Sequence, residues 1–189
     1  VGRGIYTLAV NASEMYENSR SSLKNFIGAS SDFEIVFTKN ATESLNLVAS
    51  CFGEKFIEKD DEIILTELEH HANYVPWHFL RKKKGAVIKF LPIDENGNLK
   101  IEQLESLITS KTKIISVTHM SNVTGSISSL EEIIEIAKKR SIPVCVDGTQ
   151  GAAHLEVDVK KLDCDFYAFS GHKMYGPTGV GLLAIKYKW

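Results

Sequence analysis

The sequence predicts a three-layer α/β domain in which a mostly parallel sheet carries helices on both faces. Short apolar segments rich in β-branched residues alternate with helical segments, and most of the apolar segments lack a polar face. The 189 residues are also enough for one sizeable core. Ligands of such sheets collect beyond the carboxyl ends of the strands, so the residues that follow each strand are the first candidates for a functional site.

Seven segments are predicted to be strands because each is short, apolar and flanked by turn residues. In chain order they are Glu34–Phe37, Glu62–Leu65, Ala86–Leu91, Lys113–Val117, Val144–Val146, Phe166–Phe169 and Val180–Ile185. Four segments before and between them are predicted to be helices, with Ser13 as the cap of the first. They are Ser13–Phe26, Thr42–Phe52, Ile101–Ile108 and Leu130–Lys139. The DENGN segment at residues 94–98 predicts a tight surface turn.

Composition and charge argue against several classes of function. The net charge is −2, and the tight basic run Arg81–Lys84 is interpreted as the solvated end of a helix, so no nucleic-acid partner is expected. No apolar run approaches the ~20 residues of a membrane span, and no membrane partner is expected. The three cysteines have no metal-ligand spacing and fit a reducing compartment, and the bacterial cytoplasm and a plastid-type organelle both stay open as its location.

Two successive predicted strands end in an acid and an amine. Asp147 follows the strand VCV directly, and Lys173 follows the next strand in the segment SGHK. Pyridoxal phosphate (PLP) chemistry needs both groups, because the amine forms the Schiff base and the carboxylate keeps the pyridinium nitrogen protonated. Alone, Asp147 is more often a turn or cap residue. A direct salt bridge between Asp147 and Lys173 is the structural alternative, but it accounts for neither the nearby histidines nor the phosphate-type features described next.

A phosphate site is predicted where the first strand turns into a helix. The turn Thr38–Glu43 would present the N–H groups of Ala41 and Thr42 at a helix N-terminus, and Thr42 adds a hydroxyl. Ser170 and His172 could contribute from the lysine loop. Such a turn alone is usually only a helix cap. The chain has neither a G-x-x-x-x-G-K-[ST] nor a G-x-G-x-x-G motif, which argues against a P-loop or dinucleotide site.

Histidines and an asparagine follow the second and fourth strands. His70 and His71 are adjacent, so only one of them is expected to face a ligand, where a flat imidazole can stack on a ring and move protons. The alternatives are a metal pair or a buried structural histidine. No further carboxylate or thiolate has metal-site spacing, and we expect no metal. His119 and Asn122 follow the fourth strand and are expected at the same edge.

Four segments together resemble a known family. They are TELEHHANYVPW, THMSNVTGS, VDGTQGAAH and LDCDFYAFSGHKMYGPTGVG, and they are similar to the class V aminotransferase superfamily and, within it, to the SufS-type (group II) cysteine desulfurases. The resemblance runs from Gly2 to Lys186. It implies the large domain of PLP-dependent transferase fold type I, a mixed seven-stranded sheet with helices on both faces and an antiparallel last strand.

The resemblance also implies a role for each matching residue. Lys173 would be the Schiff-base lysine, Asp147 the pyridinium partner and Gln150 a hydrogen-bond donor to the cofactor's phenolic oxygen. His70 would stack on the ring and take part in proton transfer, and Asn122 would lie near the substrate carboxylate. The implied phosphate ligands are Ala41, Thr42, Ser170 and His172.

The implied activity converts L-cysteine to L-alanine and leaves an enzyme persulfide for iron–sulfur cluster assembly. The implied partners are a second subunit in a homodimer and a SufE- or SufU-type sulfur acceptor. In this family the nucleophilic cysteine and a carboxylate-binding arginine lie in a small C-terminal domain. Cys51, Cys145 and Cys164 are instead expected to be packing residues.

Residues 1–189 are therefore interpreted as a PLP-binding large domain that lacks an N-terminal segment and the small domain, and is incomplete for turnover. Two alternatives stay open. One is a selenocysteine lyase or another class V lyase, which would share the Asp147 and Lys173 framework. The other is a non-catalytic scaffold, although a scaffold has no physical need for Lys173, Asp147, Gln150 and His70 together.

Overall fold

The computed structural model describes residues 4–189. Helices and strands alternate from α1 to α6, and 3₁₀ turns at Ile101–Gln103 and Gly171–Lys173 precede α4 and follow β6. In chain order the elements are α1 (Thr7–Phe26), β1 (Phe33–Thr38), α2 (Ala41–Phe56), β2 (Glu62–Thr66), α3 (His71–Lys84), β3 (Val87–Leu91), α4 (Leu104–Leu107), β4 (Thr112–Thr118), α5 (Leu130–Lys139), β5 (Val144–Asp147), α6 (Gly151–His154), α7 (Val159–Leu162), β6 (Phe166–Ser170) and β7 (Gly181–Lys186).

Within residues 4–189 the strands form one seven-stranded sheet in the order β1-β7-β6-β5-β4-β2-β3. Strand β7 runs antiparallel to its neighbours β1 and β6, and the other pairings are parallel. This confirms the predicted mixed α/β sheet, and each predicted strand is present with its bounds shifted by at most one residue. The parallel strands β4, β5 and β6 end side by side, which brings the residues that follow them to one edge of the sheet.

Two apolar clusters cover the two faces of the sheet. On one face, α2 and α3 contribute Leu45, Phe52 and Trp77 to a core shared with alternate residues of the strands. On the other face, the core contains Ile133 and Ile134 of α5 together with apolar residues of the short helices. Burial on both faces explains why the strand sequences show little alternation between apolar and polar residues.

Three helix predictions were wrong in their bounds. Helix α1 begins at Thr7, so Ser13 lies inside the helix, and the capping residue Tyr6 makes no side-chain cap. Helix α2 continues past Phe52 to Phe56. The segment Ile101–Ile108 is a 3₁₀ turn followed by the four residues of α4 rather than one helix.

Helix α3 was recognised only at its basic end. Pro76 lies inside the helix and disguises the helical pattern, while Gly85 ends it in the left-handed conformation. The run Arg81–Lys84 does end a helix, but Lys84 is not simply solvated. Its ammonium donates to the carbonyls of Gly53 and Ile57, at 3.0 and 2.9 Å, and so caps the C-terminus of α2.

The start of α2 is fixed by its cap and by a close approach from β7. The Asn40 side chain accepts a hydrogen bond of 2.9 Å from the Glu43 N–H, as a helix cap does. Gly181 lies against the Asn40 backbone, and a Cβ at this position would come 2.6 Å from the Asn40 nitrogen. The turn before α2 is therefore fixed partly by the absence of a side chain at Gly181.

The predicted surface turn at residues 94–98 is also present, since Asp94 Oδ1 accepts from the Asn96 and Asn98 N–H groups at 2.9 and 2.8 Å.

No helix in the described range 4–189 is both long enough and apolar enough to cross a lipid bilayer.

We expect Gly181→Ala to destabilise the domain by about 1–3 kcal/mol, the usual cost of overpacking a rigid site, because backbone atoms and not a flexible side chain oppose the new methyl group. Gly53→Ala is the matched control, since its Cβ would meet the mobile end of Leu80 within a helix that favours alanine. Urea denaturation measures both free energies of unfolding. Equal costs for the two variants would contradict the close approach at Gly181.

Candidate functional site

A cavity of about 180 Å³ opens at the carboxyl edge of the sheet, between the ends of β4, β5 and β6 and the N-termini of α2 and α3. The nine residues predicted to hold or act on a cofactor all line it: Ala41, Thr42, His70, Asn122, Asp147, Gln150, Ser170, His172 and Lys173. Five further lining residues were not assigned. They are Asn40, Ala72, Thr118, Met120 and Thr149, which neighbour the assigned residues along the chain.

The Asp147 carboxylate is buried at the cavity wall without a cationic partner. Its side chain is at the end of β5, the residue is 3% exposed, and Oδ1 accepts a hydrogen bond of 3.0 Å from the Thr149 N–H. Burial raises the pKa of Asp147, opposed by the Thr149 hydrogen bond and by the His70 imidazole. No Lys, Arg or His nitrogen within the described residues lies within 4.0 Å of this carboxylate, which excludes the direct salt bridge with Lys173.

Lys173 reaches the cavity from the 3₁₀ turn Gly171–Lys173 that follows β6. The residue is exposed, and none of the described carboxylates lies within ion-pair distance of its ammonium. The turn is held by the Gly171 N–H, which donates to the Val180 carbonyl at 2.9 Å. An amine free of ion pairs and a buried carboxylate thus share one cavity, and a ligand that carries an electrophile and a cationic group would satisfy both.

The N-terminus of α2 offers donors on the opposite side of the cavity. The Ala41 N–H donates to Ser170 Oγ at 2.8 Å and is therefore already engaged. Thr42 is the next residue, and its N–H has no acceptor among the described residues. The Ser170 hydroxyl proton, the Thr42 N–H and the Thr42 hydroxyl remain for an anion, which the helix dipole of the 16-residue α2 also favours.

His70 is the exposed residue that precedes α3 and serves as its cap. Its Nδ1 accepts a hydrogen bond of 3.1 Å from the Ala72 N–H, which leaves Nε2 for a ligand or solvent. His71 turns away and lines a separate shallow cavity with Glu67 and Tyr74. The expectation that only one of the adjacent histidines faces the site therefore matches the geometry. Half-buried Gln150 and exposed Asn122 complete the rim.

A buried polar network behind the cavity was missed at the sequence level. Glu69 Oε1 accepts from the Thr66 hydroxyl at 2.6 Å and from the Thr118 N–H at 2.9 Å, and its Oε2 accepts from Asn73 at 2.6 Å. Burial raises the pKa of Glu69 to about 8, even though all three donors lower it. The network ties β2, α3 and β4 together beside His70. The only sequence signal is a carboxylate directly before the two histidines.

Two expectations about position were wrong. His119 does not join Asn122 at the cavity, because its side chain is buried against Tyr167 and lines a different cavity with Glu131 and Asp158. Cys51 is not a packing residue, since it is exposed in the middle of α2.

The remaining cysteines fit the expected packing role. Cys145 and Cys164 are fully buried, and burial raises the pKa of both thiols, that of Cys164 to about 12. Protonated, buried thiols are poor nucleophiles. None of the three cysteines lines the cavity that holds Lys173. Among residues 4–189, no group of three or more His, Cys, Asp or Glu side chains is arranged to hold a metal ion.

Comparison with known proteins identifies the family. The family description "Aminotransferase class-V" matches residues 1–189. The chain belongs to the class-V aminotransferase family. It is 47% identical over 189 residues to the cysteine desulfurase of Wigglesworthia glossinidia brevipalpis, covering 100% of this chain and 46% of that relative.

Solved structures of this family share the fold. The apo cysteine desulfurase from Thermococcus onnurineus NA1 aligns with a TM-score of 0.92 at 45% identity, over 98% of this chain and 46% of its own. The cysteine desulfurase CsdA from Escherichia coli aligns with a TM-score of 0.89 at 40% identity, over 100% of this chain and 47% of its own. The chain thus spans about half the length of the curated relatives it matches.

We expect Asp147→Asn to stabilise the ligand-free domain at pH 7 by about 1–3 kcal/mol, the usual cost of a buried polar group that is incompletely compensated, because the amide removes a buried carboxylate that has one hydrogen bond but no cation. Because burial raises the native pKa of Asp147 above its ordinary value of 3.8, the unfolded chain releases this proton at a lower pH than the native state does, so stability falls as pH rises from 3.8 toward the native pKa. The gain should therefore disappear below about pH 4.

Chemical denaturation at pH 4 and at pH 7 measures this difference. Asp158→Asn, at an exposed helix cap outside the cavity, is the control for loss of a carboxylate as such. A destabilised Asp147→Asn domain at pH 7 would mean that the carboxylate has a cationic partner after all.

Proposed function

We propose that residues 1–189 form the PLP-binding large domain of a cysteine desulfurase, and that the full-length protein converts L-cysteine to L-alanine while its sulfur leaves as a persulfide. The observation that carries the proposal is that one cavity holds both the buried Asp147 carboxylate, which has no cation, and the Lys173 amine, which has no ion pair. The names of the relatives at 45–47% identity support the choice of reaction.

The residues of the cavity fit PLP chemically. Its ring nitrogen, when protonated, would supply the cation that buried Asp147 lacks, and the Lys173 amine would be the covalent attachment point for its aldehyde. Its phosphate would meet the free Thr42 N–H, the Ser170 and Thr42 hydroxyls and His172 at the N-terminus of α2. In this arrangement Ala41 acts through Ser170, because its N–H already holds the Ser170 oxygen.

The remaining cavity residues would orient the cofactor and move protons. The His70 ring would stack on one face of the cofactor, with Nε2 available for proton transfer because Nδ1 is engaged by the Ala72 N–H. Gln150 would donate to the phenolic oxygen, and Asn122 at the rim would meet the substrate carboxylate. When bound, PLP supplies an electron-withdrawing ring that stabilises negative charge on the substrate carbon.

The sulfur-accepting nucleophile is proposed to lie outside residues 1–189. Cys145 and Cys164 are buried with raised pKa values, and Cys51 lies on α2 away from the cavity. We assign the full-length protein to the SufS-type subgroup on the segments EHHANYVPW and SGHKMYGP. A homodimer and a SufE- or SufU-type acceptor, which would pass sulfur on for iron–sulfur cluster assembly, are part of the same proposal.

We expect the chain to acquire a visible absorbance band with PLP and Lys173→Ala to lose it, because the band requires the covalent bond to the lysine amine. Lys160→Ala, at an exposed position on α7, is the matched control and should keep the band. Absorbance after gel filtration and borohydride reduction measures the covalent link. A reduced adduct on a lysine other than Lys173 would contradict the assignment.

We expect Asp147→Asn to weaken PLP binding about 10- to 100-fold, the range for losing a hydrogen bond to a charged partner. The same variant is expected to stabilise the ligand-free domain, so the two measurements should move in opposite directions. Fluorescence titration with PLP gives the dissociation constant. Unchanged affinity, or turnover of L-cysteine by the full-length variant at the wild-type rate, would remove Asp147 from its role.

A further inference from the structure

Tyr167 and His119 form a buried hydrogen-bonded pair that the proposed site does not use. Tyr167 on β6 is 0% exposed and His119, just after β4, is 7% exposed. His119 Nδ1 lies 2.9 Å from the Tyr167 hydroxyl, and the rings meet edge to face with centroids 5.9 Å apart. Neither residue lines the cavity that holds Lys173.

The hydrogen bond spans the strand that carries Asp147. Strands β4 and β6 are not neighbours, because β5 lies between them. The pair therefore reaches across the end of β5, where the chain turns from Asp147 to Gly151. Tyr167 belongs to the apolar cluster of the sheet face opposite the one that holds Cys145, and side chains alternate along a strand, so Asp147 points away from this cluster.

Both rings press against the turn at glycines. A Cβ at Gly148 would run into the Tyr167 ring, and a Cβ at Gly151 would come 2.5 Å from His119 Nδ1. Two backbone hydrogen bonds also hold the start of this turn to the neighbouring strands. The Gly148 N–H donates to the Ala168 carbonyl of β6 at 2.8 Å, and the His119 N–H, just after β4, donates to the Asp147 carbonyl at 2.9 Å. The turn between the two glycines thus has little room to move toward the pair.

Asp147 and Gln150 are the two residues of this turn that are proposed to contact the cofactor ring. We propose that the Tyr167–His119 pair is a positioning device that fixes the Asp147–Gly151 turn, so that the Asp147 carboxylate and the Gln150 amide meet one ring in register. This inference rests on the proposed function for the identity of the ring. The two residues are positioning residues, because neither touches the cavity.

The chemistry of the pair suits a fixed support. Burial raises the pKa of Tyr167 well above its usual value and lowers the pKa of His119, which Glu131 partly opposes. Both rings are therefore neutral near pH 7, and either one can be the donor. Removing the hydroxyl would leave the buried Nδ1 without its partner, which costs more than the bond itself contributes.

The test compares Tyr167→Phe with wild type by amide hydrogen exchange and by PLP binding. Tyr167→Phe keeps the ring and deletes the hydroxyl. We expect about tenfold faster exchange at the amides of Gly148, Thr149 and Ala152, the factor that one unsatisfied buried polar group implies, while the amides of β1 are unchanged. Phe33→Leu, a buried substitution on β1, is the control for general loss of packing and should leave the turn amides unchanged.

The second measurement uses PLP labelled with ¹⁵N in its ring. In Tyr167→Phe the ring-nitrogen NMR signal should move toward that of unprotonated pyridine, and the dissociation constant for PLP should rise about tenfold. His119→Asn keeps a polar group at the position of Nδ1, so its ring-nitrogen signal and its dissociation constant for PLP should stay close to those of wild type. His119→Leu has no such group, and both quantities should shift as they do in Tyr167→Phe. A pair that only fills space would lower stability without moving the nitrogen signal.

The outcomes separate this inference from the proposed function. Failure of the wild-type chain to bind PLP overturns the proposed function, while exchange at the turn still tests the support. Unchanged exchange at the turn, or exchange that rises equally in β1, overturns the positioning role. Faster exchange at the turn with an unmoved ring-nitrogen signal in the loaded protein also overturns it, because the turn would then not set the contact with the ring.

Discussion

The buried carboxylate of Asp147 is the constraint around which the carboxyl edge of the sheet is built. A carboxyl group at 3% exposure without a cation costs stability when it ionises, and the fold does not relieve that cost with one of its own lysines. Instead β5 ends with Asp147, one residue after apolar Val146, and Gly148 leaves room for the Tyr167 ring beside the turn that follows. Such a site is stable only because the remainder of the sheet buries apolar side chains on both faces.

The strands could be predicted from the sequence because burial on both faces leaves an unbroken apolar signal. Helices α1 and α3 were harder for opposite reasons. The first half of α1 is exposed and carries apolar residues such as Leu8 and Met15 without a buried stripe, so periodicity locates it poorly. In α3, Pro76 suggests a break that the backbone does not make. Tertiary packing determines where both helices begin and end, and the pattern of a single sequence does not reveal that packing.

The candidate site was predictable at the level of strand ends but not at the level of side-chain direction. Parallel strands deliver the residues after them to one edge, which is enough to bring Asp147, Lys173 and Thr42 together. Which side of the sheet a residue faces depends on its register and its turn. His119 follows β4 as Asn122 does, yet it points to the other face and packs on Tyr167. The engagement of the Ala41 N–H by Ser170, 129 residues away, is equally invisible in the sequence.

Polar groups that lie behind the cavity differ from those that line it in whether the protein itself supplies their partners. Glu69 accepts three hydrogen bonds, the Ala41 N–H reaches Ser170, and Tyr167 meets His119, so the polar groups behind the cavity are satisfied within the protein. At the cavity, by contrast, the Asp147 carboxylate has no cation, the Lys173 ammonium has no ion pair and the Thr42 N–H has no acceptor among the described residues. Native proteins rarely leave several such groups together unless a ligand completes them. A scaffold that binds nothing would gain stability by pairing Asp147 with Lys173 or replacing both, and this chain has done neither.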